Sequence, residues 1–401
     1  MKKFENFRVL LVANDSSLMT NGLKNFKSGL YPELFKIFHS LFGSTKICFC
    51  DETNLYDINN IQDLTNLSNK SIKEKISFEY FFRILEFIFG RNLYIEKLRY
   101  KRILKNLDYS FDIVISISST TNSGVLASLI SKEHRKPYII LEHMTYYQRD
   151  IIKFWHKKLL KQVQSSAELI APVSSALEKI LKKFNPAIKS IVVHNPIGNE
   201  MFEDPSSELT SRLKDFSQGS FCFGAWTVWR DIKRLDLLLN AFDKLNLKSE
   251  HKCKLIIGGK YVNDKLILRM KNNEDILFLG ALKRKETHAL SAFVDCCVVP
   301  SDHETFGLPI AEALSQGTPV ISTKCGGIEE LIDHSMGIVI NRGDELSLIN
   351  AMNLIIKRKD FSNEKIKQFA EKHFSSSEIK ERWSKILSNL LLEKNDKKSS
   401  L

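Results

Sequence analysis

The sequence predicts a protein of the α/β class, made of two doubly wound units. Three observations carry this expectation. The chain has 401 residues, more than one ordinary core holds, so two units are the natural division. Short runs rich in Ile and Val, bounded by polar residues, alternate with helical patterns. That alternation indicates parallel strands covered by helices on both faces. It stops at residues 195–220, where Pro196, Gly198, Pro205 and several serines cluster, and then it restarts. Both halves are therefore expected to be Rossmann-like.

In the first half, strands are expected at residues 8–13, 45–50, 112–117, 137–141, 169–173 and 190–194, with a helix at 176–184 among those between them. In the second half, strands are expected at 220–226, 254–258, 275–279, 296–300, 318–323 and 337–340, and helices at 234–245 and 285–293. The domains are then 1–200, 201–374 and a terminal segment 375–401. Ser375-Ser376-Ser377-Glu378 offers a helix cap with an acidic first turn. Ile379, Trp383, Ile386 and Leu390 follow on one face of a helix at 377–392 and require an apolar surface. Residues 394–401 form a polar, charged tail.

Composition narrows the function. Hydrophobic residues make up 43% of the chain, as in ordinary globular proteins. No stretch approaches the roughly 18 apolar residues of a membrane span, and the apolar run 9–13 is too short for a leader, so the expected location is the cytoplasm. Seven cysteines, without a C-x-x-C pair, argue against a disulfide framework and a zinc site, and point to buried thiols. The net charge is +12, of which residues 1–200 hold +10 (29 basic, 19 acidic) and residues 201–401 hold +2 (30 basic, 28 acidic). A basic first half suits an anionic partner. Nothing in it reads as a nucleic-acid-binding motif.

The segment that carries chemistry runs from Pro300 to Ile321. A strand ends at a loop holding Glu304. Pro309 suits a first helical turn, and Gly317 followed by Pro319 suits a helix stop. Glu304 thus lies in a strand-to-helix loop and Glu312 within the helix, at the carboxyl end of the sheet where open α/β folds bind ligands. The amides of Phe306, Gly307 and Leu308, at a helix N-terminus, form an anion site suited to a diphosphate. Gly307 allows close approach. One carboxylate can accept ribose hydroxyls and the other sugar hydroxyls.

This segment resembles the Glu-x7-Glu motif of glycosyltransferase family 4. The resemblance extends to Phe278-Leu279-Gly280, to Gly326-Gly327-Ile328-Glu329-Glu330, to His194-Asn195-Pro196-Ile197 with Phe202, and to Phe223-Gly224 with Lys233. It covers residues 190–345 strongly and residues 1–190 in outline. It implies the GT-B fold, two Rossmann-like domains facing across a cleft, with the last helix crossing back to the first domain. By position, Glu304 would contact the donor sugar and Glu312 the ribose. Thr305, Phe306, Gly307 and Leu308 would meet the diphosphate, with Gly224 at the entry to the nucleotide-binding domain. Lys233 and Arg230 would neutralise the phosphates, and His143 would lie near the reacting sugar. Two departures stand out. Gly224 is followed by Ala225-Trp226 instead of the family's arginine, and the loop after the first strand holds only Asn21-Gly22 rather than a glycine-rich turn.

The resemblance implies a retaining transfer from a UDP- or GDP-linked sugar to a glycan or lipid-linked acceptor. The Lys-, Asn- and Ile-rich composition hints at a bacterial surface-polysaccharide pathway. The sequence offers no convincing Asp-x-Asp motif, and basic residues with helix amides can stabilise the leaving diphosphate, so no metal or other cofactor is expected. A nucleotide-sugar epimerase and an inert binding subunit of the same fold are the alternatives. Residues 71–105 interleave Phe78, Tyr80, Phe81, Phe82, Phe87 and Phe89 with Lys73, Lys75, Arg83 and Arg91, followed by Arg99, Lys101, Arg102 and Lys105. This pattern suits peripheral docking on an anionic membrane.

Overall fold

A computed structural model describes residues 3–13, 30–49, 55–57, 92–107, 109–119, 122–144, 154–205, 208–248 and 253–391. The chain forms two compact units. One comprises Met1–Val193 with Lys380–Leu401, the other His194–Ile379.

The first unit holds strands β1 (Phe4–Ala13), β2 (Phe42–Phe49), β3 (Leu55–Asp57), β4 (Ile113–Ser116), β5 (Tyr138–Glu142) and β6 (Leu169–Pro172). Its described helices are α1 (Leu30–Leu41), α2 (Leu93–Arg99), α3 (Lys101–Lys105), α4 (Asn122–His134), α5 (Phe154–Ser165) and α6 (Ser175–Phe184). The sheet order is β3-β2-β1-β4-β5-β6. Val9 to Val12 of β1 are fully buried, as a central strand covered on both faces requires. All neighbouring strands are parallel except β3, which pairs antiparallel with β2. That edge pairing carries no distinctive sequence signal.

The second unit holds β7 (Cys222–Val228), β8 (Lys254–Lys260), β9 (Ile276–Gly280), β10 (Cys296–Val299), β11 (Val320–Thr323) and β12 (Gly337–Ile340). Its helices are α7 (Leu209–Ser217), α8 (Leu235–Lys248), α9 (Asp264–Lys271), α10 (Arg284–Phe293), α11 (Leu308–Ser315), α12 (Glu345–Lys357) and α13 (Asn363–Phe374). The order β12-β11-β10-β7-β8-β9 repeats the plan of the first sheet, with β7 and β10 in the places of β1 and β4. Every pair is parallel. In both sheets the order reverses between the first and fourth strand, the switch point where such folds bind ligands.

Several elements differ from expectation. Residues 190–194 form no full strand. Ser190 makes one bridge to Ile170, and the amides of Ile191 and Val193 donate to Ile170 and Pro172 at 3.1 and 3.0 Å, so the segment lies along β6 as an extended edge. The Pro- and Ser-rich break contains α7, whose Leu213 is fully buried and whose end is set by Gln218 at φ 48°. The last helix, α14 (Ser376–Leu391), begins one residue early. Ile379, Trp383, Ile386, Leu387 and Leu391 are buried and Leu390 only half-buried, because a 3.6-residue period brings 387 and 391 in line with 383. Trp383 packs on Phe38 of α1 with ring centroids 5.2 Å apart.

Among the described residues, no helix is long and apolar enough to cross a membrane. The loop 14–22 and residues 71–91 of the aromatic and basic segment lie outside the described residues. Within α2, Arg99 is buried against Glu96, with Nη1–Oε1 at 3.0 Å, so it is not a surface cation, whereas Lys101, Arg102 and Lys105 are exposed. Six cysteines are buried, and burial pushes the Cys48 and Cys222 thiols up to about 12. Cys50 lies outside the described residues.

Candidate active site

The candidate site lies in the second unit, at the carboxyl ends of β7 and β10. β7 continues through Trp229 and Arg230 into a single 3-10 turn, Asp231–Lys233. β10 continues through Pro300 and Ser301 into the loop that starts α11. The two loops are tied together by the Asp302 amide, which donates to the Ile232 carbonyl at 2.8 Å. This brings Lys233 Nζ to 2.6 Å from Glu304 Oε1. The same oxygen accepts from Ser301 Oγ at 3.0 Å. Two residues 71 positions apart in sequence thus meet at the switch point of the sheet.

The loop from Glu304 to Leu308 is held from behind by the turn after β11. The Glu304 amide donates to Cys325 O at 2.9 Å, and the Ile328 amide to Phe306 O at 2.8 Å. Glu329 fixes that turn by accepting from the amides of Gly326 and Gly327, both at 2.6 Å. A side chain at Gly327 would overlap the Phe306 carbonyl. The Gly-Gly-x-Glu sequence is therefore a support that sets the site loop. Phe306 is buried among His194 and Phe374. Gly307 takes φ 91° as the N-cap of α11, with proline in the first turn. Among the described residues, nothing accepts from the amides of Phe306, Gly307 and Leu308. With the helix dipole behind them, these donors suit an anion.

Glu312 is buried on α11 and engages two further residues. Trp226 Nε1 donates to Oε2 at 2.8 Å, and Arg284 Nη1 to Oε1 at 3.0 Å. Burial raises the Glu312 carboxyl above its usual range, while Arg284 and then the Trp226 hydrogen bond pull against that rise. Arg284 also reaches Glu200, Nε to Oε1 at 3.3 Å.

Of the residues expected from sequence, Lys233, Glu304 and the 305–308 loop come together, and Glu312 lies one helical turn further along. Arg230 is exposed where β7 runs out. Gly224 sits in mid-strand, where a Cβ would come 2.7 Å from Val294 Cγ1, so it serves close packing. Ser301, Trp226 and Arg284 are additions that sequence reasoning missed. A signal for Arg284 existed. Lys283, Arg284 and Lys285 crowd a helix start, where the dipole disfavours cations, so one of them needed a partner elsewhere.

His143 belongs to the first unit, just past β5. Its Nδ1 is shielded from water, and burial lowers the ring to about 4, so the imidazole is neutral near pH 7. Before it stands Glu142, fully buried. Glu142 accepts from Ser118 Oγ at 3.2 Å, the Ser119 amide at 2.9 Å, the Ser119 hydroxyl, and the Met144 amide at 3.2 Å.

Two doubly wound units with this strand order are the architecture of the GT-B fold. Residues 228–373 match the family model described as "Glycosyl transferases group 1". The chain is 27% identical over 221 residues to an uncharacterized glycosyltransferase, MJ1607, of Methanocaldococcus jannaschii, covering 50% of this chain and 55% of that one. It is 30% identical over 178 residues to N-acetyl-alpha-D-glucosaminyl L-malate synthase of Bacillus anthracis, covering 42% and 46%. The chain spans about half the length of these curated relatives. Among solved structures, Anabaena Alr3699/HepE in complex with UDP and glucose aligns with a TM-score of 0.65 at 16% identity, over 96% of this chain and 100% of that one.

Proposed function

We propose that the protein is a retaining glycosyltransferase of family 4 type, moving a sugar from a UDP- or GDP-linked donor to a glycan or lipid-linked acceptor, without a metal, in surface-polysaccharide synthesis. The observation that carries this reading is the Lys233–Glu304 pair at 2.6 Å beside the amides of Phe306, Gly307 and Leu308. In the reaction, the bond between the sugar's anomeric carbon and the phosphate oxygen breaks, and its electron pair goes to the diphosphate. Lys233 and the amides stabilise that charge. The acceptor hydroxyl attacks the same face and gives its proton to the leaving phosphate. Glu304 orients the sugar hydroxyls, Glu312 holds the ribose, and the first unit, which carries the neutral His143, binds the acceptor.

The test is acceptor-dependent release of UDP or GDP from a panel of nucleotide sugars, with and without EDTA, and with the product anomer read by NMR. Release is expected to need acceptor and to survive EDTA. Lys233→Ala is expected to lower turnover roughly 10²- to 10³-fold. Release without acceptor would favour the epimerase. Loss in EDTA, restored by Mg²⁺ or Mn²⁺, would reject the metal-free step. For the acceptor side, exposed Tyr94 and Leu98 beside Lys101, Arg102 and Lys105 support docking on an anionic leaflet. Flotation should recover more protein with anionic than with neutral vesicles, and less after these three cations become Gln. Equal recovery rejects docking.

A further inference from the structure

We propose that Arg284 is a positioning residue that, together with Trp226, holds Glu312 so that the site selects a ribonucleotide over its 2′-deoxy counterpart. This rests on the nucleotide-sugar reading above and assigns part of its specificity to a residue outside the Glu-x7-Glu motif.

The argument begins with the lone pairs. A carboxylate has about four acceptor sites, two on each oxygen. Arg284 occupies one on Oε1 and Trp226 one on Oε2. Each oxygen keeps one. Two adjacent hydroxyls, as on a ribose, match that pair of acceptors, whereas a 2′-deoxyribose leaves one oxygen unmet in a buried place. Burying an unmet acceptor is costly, so a held carboxylate discriminates where a mobile one adapts.

Arg284 is itself held. Its planar guanidinium spans Glu312 through Nη1 and Glu200 through Nε, a fork a lysine cannot reproduce. Its side chain is 16% exposed. It opens α10, where a cation works against the helix dipole, so its placement brings no benefit to that helix. Its charge also opposes protonation of Glu312. Burial favours the protonated acid, Arg284 opposes it, and a protonated oxygen would point a donor at a ribose hydroxyl.

The experiment is calorimetric titration of UDP, GDP, 2′-deoxy-UDP and 2′-deoxy-GDP into wild type, Arg284→Ala and Arg284→Lys. Wild type is expected to bind its preferred ribonucleotide about ten- to a hundred-fold more tightly than the 2′-deoxy form. In Arg284→Ala that ratio is expected to fall toward one, and Arg284→Lys to lie between. Should the alanine variant not fold, Arg284→Gln takes its place with the same expectation. Weaker binding of both sugars with the ratio unchanged would show a merely structural arginine and overturn the proposal. So would an alanine variant identical to wild type. If wild type binds none of the four, the nucleotide-sugar reading fails first and this inference with it.

Discussion

Each unit brings buried glutamates to the carboxyl ends of a sheet with the same strand order, and the two units surround them differently. In the first, Glu142 is met by hydroxyls and amides only. Among the described residues no cation pairs with it, and burial raises its carboxyl against the opposing pull of Ser119. In the second, Glu304 faces Lys233 and Glu312 faces Arg284. Neutral donors satisfy a buried carboxylate and leave nothing over for a ligand. A paired cation instead balances the charge of the buried carboxylate. The shared plan fixes where the glutamates stand, and the surrounding residues decide how their charge is met.

The largest expected effect tests whether the units behave as separate bodies. Trp383→Ala removes a fully buried indole from the first unit and should destabilise it by about 3–5 kcal/mol. Calorimetry should then show two transitions, with nucleotide raising only the upper one. A single transition that moves as a whole would break the comparison. A smaller effect sharpens it. Ser119→Ala takes a hydroxyl from a carboxylate without a cation and should cost about 1.5–3 kcal/mol in denaturant unfolding. Ser301→Ala does the same to Glu304, which Lys233 already holds, and should cost about 1 kcal/mol or less. Equal losses would mean that the cation adds nothing.

The contrast also bears on what the sequence revealed. Glu304 and the 306–308 amides were legible because a strand end, a proline at the helix start and a glycine at its stop mark their positions locally, whereas Lys233 was legible only through its resemblance to the family pattern. The doubly wound order was legible from alternation. Trp226 was not, because its partner Glu312 is brought close only by the fold; Arg284 showed only as a crowded helix start, and Ser301, three residues from Glu304 in the same loop, has no pattern of its own. Trp226 lies 86 residues from Glu312 and Arg284 lies 28. The Gly326-Gly327 turn was visible as a motif, but its work, leaving room for the Phe306 carbonyl, depends on a contact made only in the folded chain. The strand expected at 190–194 failed because an Ile- and Val-rich run reads alike whether it enters a sheet or lies along its edge.

The last helix carries a consequence for how the protein is made. The first unit is closed by residues from Lys380 onward, with Trp383 packed on Phe38. On the ribosome, the surface around Phe38 therefore waits uncovered until His194–Ile379 have emerged. The usual order, in which the amino-terminal domain folds first during synthesis, is inverted. The second unit is contiguous in sequence and can finish while the first is still missing its closing helix.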